Sequence, residues 1–288
     1  MYKVYNLNKN DIKPFLKLNN SRKKFNKLNK DFISLYSDSN SIHQLLLRKR
    51  IKLLKKNHEF RGYIWIENSS KNIIKINSMS VLENENTIEG YKYLLDSIKS
   101  PSLISYDCIK NPYNYYVLES LGFNRIKGYM EMEVLINEPL KLNLSEGISF
   151  KQLIKGKDEN LRLHLQNEIF KSEDRIPLDI GDIYYDEMQD HYLEDGSIFM
   201  KLNEIFIGYG QVILKEDIPQ IINFGVLNNF QNKGFGSMFI KNLLNLIHSK
   251  GYNRARIKVD LFNYSAIAMY KNLGFREIEE YSNWYLKK

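Results

Sequence analysis

Apolar residues fall along this chain in two rhythms. Alternation at every second position predicts strands over residues 125–134 and 276–286. Short apolar runs bounded by turn signals predict further strands at 62–66, 148–153, 197–202, 205–214, 220–227 and 256–261. Helical spacing lies between them. Ile240, Leu243, Leu244 and Ile247 share one face of a helix over 238–249, Ser237, Asn242 and Asn245 leave the other face polar, and Gly251 is suited to close it. A second helix is expected over 158–170 with Asp158 as N-cap, and a third from an Asp182 cap to about residue 193. Turns at Asn203-Glu204 and around Asp217-Ile218-Pro219 join the strands between. Strands and helices so interspersed predict an α/β (α+β) fold.

The pattern occurs twice. Asn111 precedes Gly122 by the interval that separates Asn263 from Gly274, both glycines stand in Leu-Gly-Phe, and an alternating strand follows each. Upstream, Gly62-Tyr63-Ile64-Trp65-Ile66 matches Gly208-Tyr209-Gly210-Gln211-Val212. A repeat of this length implies a duplicated domain, with copies at 1–140 and 147–288 joined by a polar stretch.

One feature belongs to the second copy alone. Gln231-Asn232-Lys233-Gly234-Phe235-Gly236-Ser237 stands between an apolar strand and a helix. Glycines at i and i+2 let the backbone curl so that several N–H groups point at one spot, and the helix dipole adds positive potential there. Such a turn suits an anion, although it is neither a P-loop nor a dinucleotide fingerprint. The first copy has Glu83-Asn84-Glu85-Asn86-Thr87-Ile88-Glu89 at this place, without a glycine pair and with acids where an anion would approach, and Leu118 stands where the second copy has Tyr270.

Gln-x-x-Gly-x-Gly opening a helix, then a strand, then Asn263, Ala266, Tyr270 and Gly274-Phe275 resembles the GNAT superfamily of N-acetyltransferases, in order over roughly residues 200–288. The resemblance implies two domains, each a mostly antiparallel mixed sheet flanked by helices, the first a degenerate copy without a cofactor site. It implies acetyl-CoA as co-substrate and direct attack by a primary amine. Gln231, Asn232, Lys233, Gly234, Phe235, Gly236 and Ser237 would then hold the pyrophosphate. Phe224, Val226 and Leu227 would face the pantetheine arm, and Asn263 and Ala266 would line the far wall. Tyr270 would protonate the leaving thiolate, a role its place in the motif favours over that of one of 20 tyrosines packing on the core face of a helix. Where many relatives keep a carboxylate, this chain has Asn223, which could relay a proton through water. Glu168, Asp182, Asp186 and Glu187 are further candidates for the base.

Composition narrows the setting. The length suits two domains, no run of 18 apolar residues is present to span a bilayer, and the opening Met-Tyr-Lys-Val-Tyr-Asn has no apolar signal core. A single cysteine, Cys108, forms no internal disulfide and fits a reducing, cytoplasmic location, as a small buried strand residue. His164, His191 and His248 are too scattered for a metal site. Residues 1–140 carry 23 Lys and Arg against 14 Asp and Glu, and residues 141–288 carry 19 against 20. The basic run 48–56 could touch nucleic acid or acidic lipid; a solvated helix face with Ile42, Leu45, Leu46, Leu53 and Leu54 packed inward is favoured, so neither nucleic acid nor membrane is an expected partner. Residues 168–195 hold ten acids, an expected rim for a cationic small-molecule or peptide amine. Two rival readings remain open, an acyl-CoA sensor without transfer activity and an acyltransferase drawing on an aminoacyl-tRNA-type donor, and the sequence leaves the oligomeric state unassigned.

Overall fold

The computed structural model describes residues 1–70, 72–82, 87–99, 103–173 and 175–288. In chain order the elements are β1 Tyr2–Asn6, α1 Ile12–Asn20, α2 Arg22–Phe25, α3 Phe32–Ser37, α4 Ser41–Lys49, β2 Ile51–Lys56, β3 Glu59–Ser70, β4 Ile73–Val81, α5 Thr87–Asp96, β5 Leu103–Ile109, α6 Asn114–Ser120 and β6 Asn124–Leu135. They continue with β7 Ile148–Gln152, α7 Glu159–Ile169, α8 Ile180–Glu187, β8 Tyr192–Leu202, β9 Ile205–Lys215, β10 Ile218–Val226, α9 Phe235–Ser249, β11 Arg254–Asp260, α10 Tyr264–Asn272 and β12 Arg276–Lys287.

The chain forms two compact units, one of residues 1–129 with 279–288 and the other of residues 130–278. These bounds differ from 1–140 and 147–288, because two strands change allegiance along their length. Most of β12 completes the first unit, where it pairs antiparallel with β5 from Tyr281↔Ile109 to Lys287↔Leu103. The 130–135 stretch of β6 belongs to the second. Alternation identified both strands, but a period-two pattern does not say which sheet a strand joins.

In the first unit the strands run β1-β2-β3-β4-β5-β12. Pairing is antiparallel except between β4 and β5, which run parallel from Ile73↔Leu103 to Ile76↔Tyr106. Trp284, 1% exposed, packs edge-on against Tyr115 at 4.9 Å. Asp107 of β5 fastens the same strand, accepting from Tyr281 Oη (2.8 Å), Asn283 Nδ2 (2.6 Å) and Lys75 Nζ (2.8 Å). Cys108 is buried in β5, as expected. The basic run is not one helix face: it passes from the end of α4 into β2, with Leu53 and Leu54 buried, whereas Ile42, Leu45 and Leu46 are exposed.

The second unit repeats the plan, in the order β6-β11-β10-β9-β8-β7. Its core gathers Ile240, Leu243, Leu244 and Ile247 of α9, the face expected from spacing, against Ile207, Val212, Ile221 and Ile257. Gly251, at φ +85°, follows α9 in the left-handed conformation that ends helices. The third helix differs from expectation. It ends at Glu187, and residues 192–202 form β8. Its N-cap is Asp179, in a capping box whose other member is Asp182.

Trp284→Ala should destabilise the first unit by about 3–5 kcal/mol, read from its guanidinium unfolding midpoint, although the residue lies far in sequence from the rest of that unit. Burial raises the Asp107 carboxyl, but the donors Lys75, Tyr281 and Asn283 outweigh it and leave its pKa lowered. A lowered folded value gives stability that is full at neutral pH and lost as pH falls through it, so an acid titration below about pH 4 should show this loss, and Asp107→Asn should flatten that limb.

Candidate functional site

The second unit's site begins where two parallel strands part. β10 and β11 are paired only at Gln220↔Arg256 and Ile221↔Ile257. On its other edge β10 shifts register against β9 between Ile222 and Gly225, and Asn223 in that bulge has φ +48°, a left-handed backbone that asparagine tolerates. Pairing with β11 stops where this bulge begins. Gly225 is required there, since a Cβ would lie 2.3 Å from Cγ2 of Ile169 at the end of α7.

The glycine turn opens onto this gap. Gly234 is the N-cap of α9 at φ +82°, and no side chain caps the helix. The first-turn N–H groups are thereby left for an external acceptor. Gln231 Nε2 donates to Val226 O (3.0 Å) and to Asn228 Oδ1 (2.8 Å), tying the turn to the strand end across a short 3-10 turn at Asn228–Phe230.

A cleft of about 380 Å³ runs from this turn to Tyr270. Of the residues singled out in the sequence, Phe224, Val226, Gln231, Asn232, Gly234, Gly236, Ser237, Asn263, Ala266 and Tyr270 line it. Three of the others do not. Phe235 is buried in the core, Leu227 packs beside Leu153, Leu165, Phe199 and Tyr209, and Lys233 folds back so that Nζ donates to Asn229 O (3.2 Å). Asn223 lies beyond Phe224, on an adjoining cavity of about 160 Å³ that shares Phe170, Phe224 and Tyr270 as walls. Sequence reasoning missed Ile169, Phe170, Gly225, Ser265 and Met269. Met269 was within reach, since it follows Ala266 by three residues on one helix face. Ile169 and Phe170 come from a distant helix and carry no local signal.

Tyr270 is 5% exposed and sits 5.6 Å from the Phe275 ring and 6.5 Å from that of Phe224. Burial raises its phenol above the ordinary value, which keeps the proton on Oη at neutral pH. Asn263 caps α10 by accepting from Ala266 N at 3.1 Å. Asn111 makes the same bond to the residue three positions on in the first unit, accepting from Asn114 N at 2.8 Å, although the N-cap of α6 is Tyr113.

The acids expected to form an open rim are mostly engaged. Asp182 belongs to its capping box, Asp195 pairs with Lys250, and Glu168 lies 3.9 Å from Lys171. Asp186 (2.5 Å) and Glu187 (3.4 Å) hold the buried guanidinium of Arg162. Burial raises Glu187, with Glu159 beside it adding to the shift. Asp174, one of the ten, lies outside the described residues.

The first unit fills the corresponding gap with its own chain. Past Ile76↔Tyr106, where the pairing of β4 and β5 stops, Asn29 Nδ2 donates to Met79 O (2.8 Å) and its Oδ1 accepts from Met79 N (3.3 Å). On the opposite edge, Asn26 Nδ2 donates to Asp107 O (2.7 Å) and its Oδ1 accepts from Ile109 N (3.2 Å). Two side-chain amides thus act as peptide groups between parted strands. The Phe25 ring lies against Tyr91 (4.9 Å), Tyr106 (6.4 Å) and Tyr113 (6.3 Å). Of the acidic segment 83–89 expected in place of the glycine turn, residues 83–86 lie outside the described ones and residues 87–89 open α5.

A parted parallel pair, with a glycine turn and an uncapped helix at its mouth, makes the second unit a fold of the GNAT type. Residues 164–275, within the second unit, match the acetyltransferase (GNAT) family. Over 75 residues the chain is 33% identical to the ribosomal protein bS18 alanine N-acetyltransferase of Salmonella typhimurium, a match covering 26% of this chain and 49% of that relative. The chain therefore spans about half the length of the curated relative it matches. A GCN5-related N-acetyltransferase from Sphaerobacter thermophilus shares the fold, with a TM-score of 0.57 at 13% identity, over 99% of this chain and 95% of that one.

Asn29→Ala should cost about 2–3 kcal/mol in urea unfolding, because it leaves both backbone groups of buried Met79 without partners.

Proposed function

We propose that the chain is an N-acetyltransferase that moves an acetyl group from acetyl-CoA to a primary amine, with the second unit as its active domain. The observation that carries this reading is the cleft at the end of β10, with an uncapped helix N-terminus at one end and a buried phenol at the other.

The residues present fit the co-substrate. Gly234 and Gly236 keep the turn bare, and a Cβ on Gly236 would already lie 3.2 Å from Met269 Sδ. N–H groups of the first turn of α9 would hold the pyrophosphate. Val226, Ala266 and Met269 would flank the pantetheine arm, and unpaired backbone groups of β10 would meet its amides. Acetyl-CoA supplies the acetyl group as a thioester, which an amine attacks directly. A backbone N–H of β10 beside the bulge would polarise the thioester carbonyl. Tyr270 Oη would give a hydrogen bond, and then a proton, to the departing sulfur, and the proton shed by the amine nitrogen on acylation would restore the phenol through solvent. Its raised pKa is no obstacle, because the same apolar walls disfavour a bare thiolate.

Side-chain cover in the first unit supports a structural role for that copy, which keeps the fold while its own asparagines occupy the slot. The acceptor is a small-molecule or peptide amine. The ribosomal-protein relative gives peptide amines a place among the candidates, and the engagement of most of the acids weakens the argument for a polycation.

Calorimetry should find one acetyl-CoA bound per chain, and thiol release should be measured across spermidine, glucosamine and an alanine-led tripeptide amide. No binding would overturn the reading, and binding without release on any amine would favour an acyl-CoA sensor. Tyr270→Phe should lower kcat about 100-fold while changing the acetyl-CoA Kd by less than about two-fold.

A further inference from the structure

Gln211 lies in β9, fully buried, and its two ends face neighbours of fixed hydrogen-bonding sense. Its Nε2 donates to Asp186 Oδ2 at 2.9 Å, and a carboxylate only accepts. Its Oε1 accepts from Arg162 Nη2 at 3.2 Å, and a guanidinium only donates. The amide therefore has one permitted orientation. Arg162 cannot drift away, since it also holds Asp186 (2.5 Å) and Glu187 (3.4 Å) from beneath, with the Tyr209 ring 5.5 Å from its guanidinium carbon.

This orientation is passed on. The third neighbour of Gln211 is Asn223, whose Nδ2 donates to Oε1 at 3.0 Å. A reversed Asn223 would set two carbonyl oxygens against each other, so Nδ2 must face inward. Oδ1 then projects to the other side of the same amide, at a residue that lines the cavity walled by Ile222, Phe224 and Tyr270 together with the cationic side chains of Arg175 and Lys258, which disfavour an ammonium there. The backbone at Asn223 is set independently by the bulge and its positive φ.

We propose that Asn223 Oδ1 receives an N–H of the incoming amine and that Gln211 is the positioning residue that holds it in that sense, under the joint constraint of Asp186 and Arg162. The inference rests on the acetyl-transfer reading for its substrate and deepens it at the acceptor side. A carbonyl oxygen accepting one N–H orients a neutral amine without stabilising the ammonium as a carboxylate would, which leaves the nitrogen lone pair available for attack. Selection of the neutral amine at this position accounts for an amide where a carboxylate would have been expected.

The test has an arm that does not depend on turnover. In the ¹⁵N-labelled full chain, the Asn223 side-chain NH₂ signal, identified by its loss in Asn223→Ala, should exchange with solvent at least about ten-fold more slowly than free asparagine, and Gln211→Leu should remove that protection. An unprotected signal in the unaltered chain would overturn the lock. For the alanine-led tripeptide amide, Gln211→Leu and Asn223→Ala should each raise KM about ten-fold, with the double variant no worse than either single one and the acetyl-CoA KM unchanged within about two-fold. Multiplicative effects, or an equal rise in the acetyl-CoA KM, would overturn the coupling. If Gln211→Leu does not fold, Asp186→Asn, which removes one of the two constraints on Gln211 and one of the carboxylates that hold Arg162, should loosen the Asn223 amide in the same direction, and full protection there would count against the lock. A wild-type chain that acetylates no amine would end the transfer reading, and the exchange measurement would still decide the lock.

Discussion

Backbone groups at the edges of two parted parallel strands must find partners, and that requirement organises both units of this chain. A strand pair that separates inside a domain exposes N–H and C=O groups that neither strand can satisfy. Each unit meets the demand differently. In the first, Asn26 and Asn29 supply side-chain amides to the two edges, and aromatic rings pack beside them. In the second, the strand ends face a cleft open to a ligand, and the bulge around Asn223, the glycine at 225 and the turn into α9 all follow from keeping that cleft clear. The two copies share a scaffold and differ in what occupies its gap.

Much of this was legible in the sequence, and what was not has a common physical cause. The core face of α9, the repeated Asn and Leu-Gly-Phe signatures, and the glycine turn are local patterns whose meaning is fixed within a few residues. Most of the cleft lining came from those patterns. Phe235 and Lys233 were included because they lie inside the motif, yet one turns into the core and the other back onto its own loop. Ile169 and Phe170 line the cleft from the end of a helix more than fifty residues upstream, and only packing brings them there. The plug at Asn26 and Asn29 was equally hidden, since asparagines in a polar stretch look like solvated loop until the strands they bridge are in place.

The acidic segment 168–195 shows how charge counted along a sequence misleads. As a string it suggested a surface waiting for a cation. In the fold, Asp186 and Glu187 turn inward to a guanidinium with a side chain 1% exposed, and other members cap a helix or pair with lysines. Buried ion pairs give little net stability once desolvation is counted, but they impose direction on every amide they touch. In this unit that direction runs from Arg162 and Asp186 through Gln211 to the edge of the cleft.

The assignment of β12 to the first unit has a consequence for how the chain is made. Domains emerging from a ribosome ordinarily fold in order, the first collapsing while the next is still being synthesised. Here the strand that carries Trp284 and pairs with β5 follows the whole of the second unit in sequence. The first unit must wait, with the flank of β5 uncovered, until all of the second has been translated. Biogenesis therefore runs against sequence order: the copy with the open cleft can finish first, and the copy with the plugged one closes last.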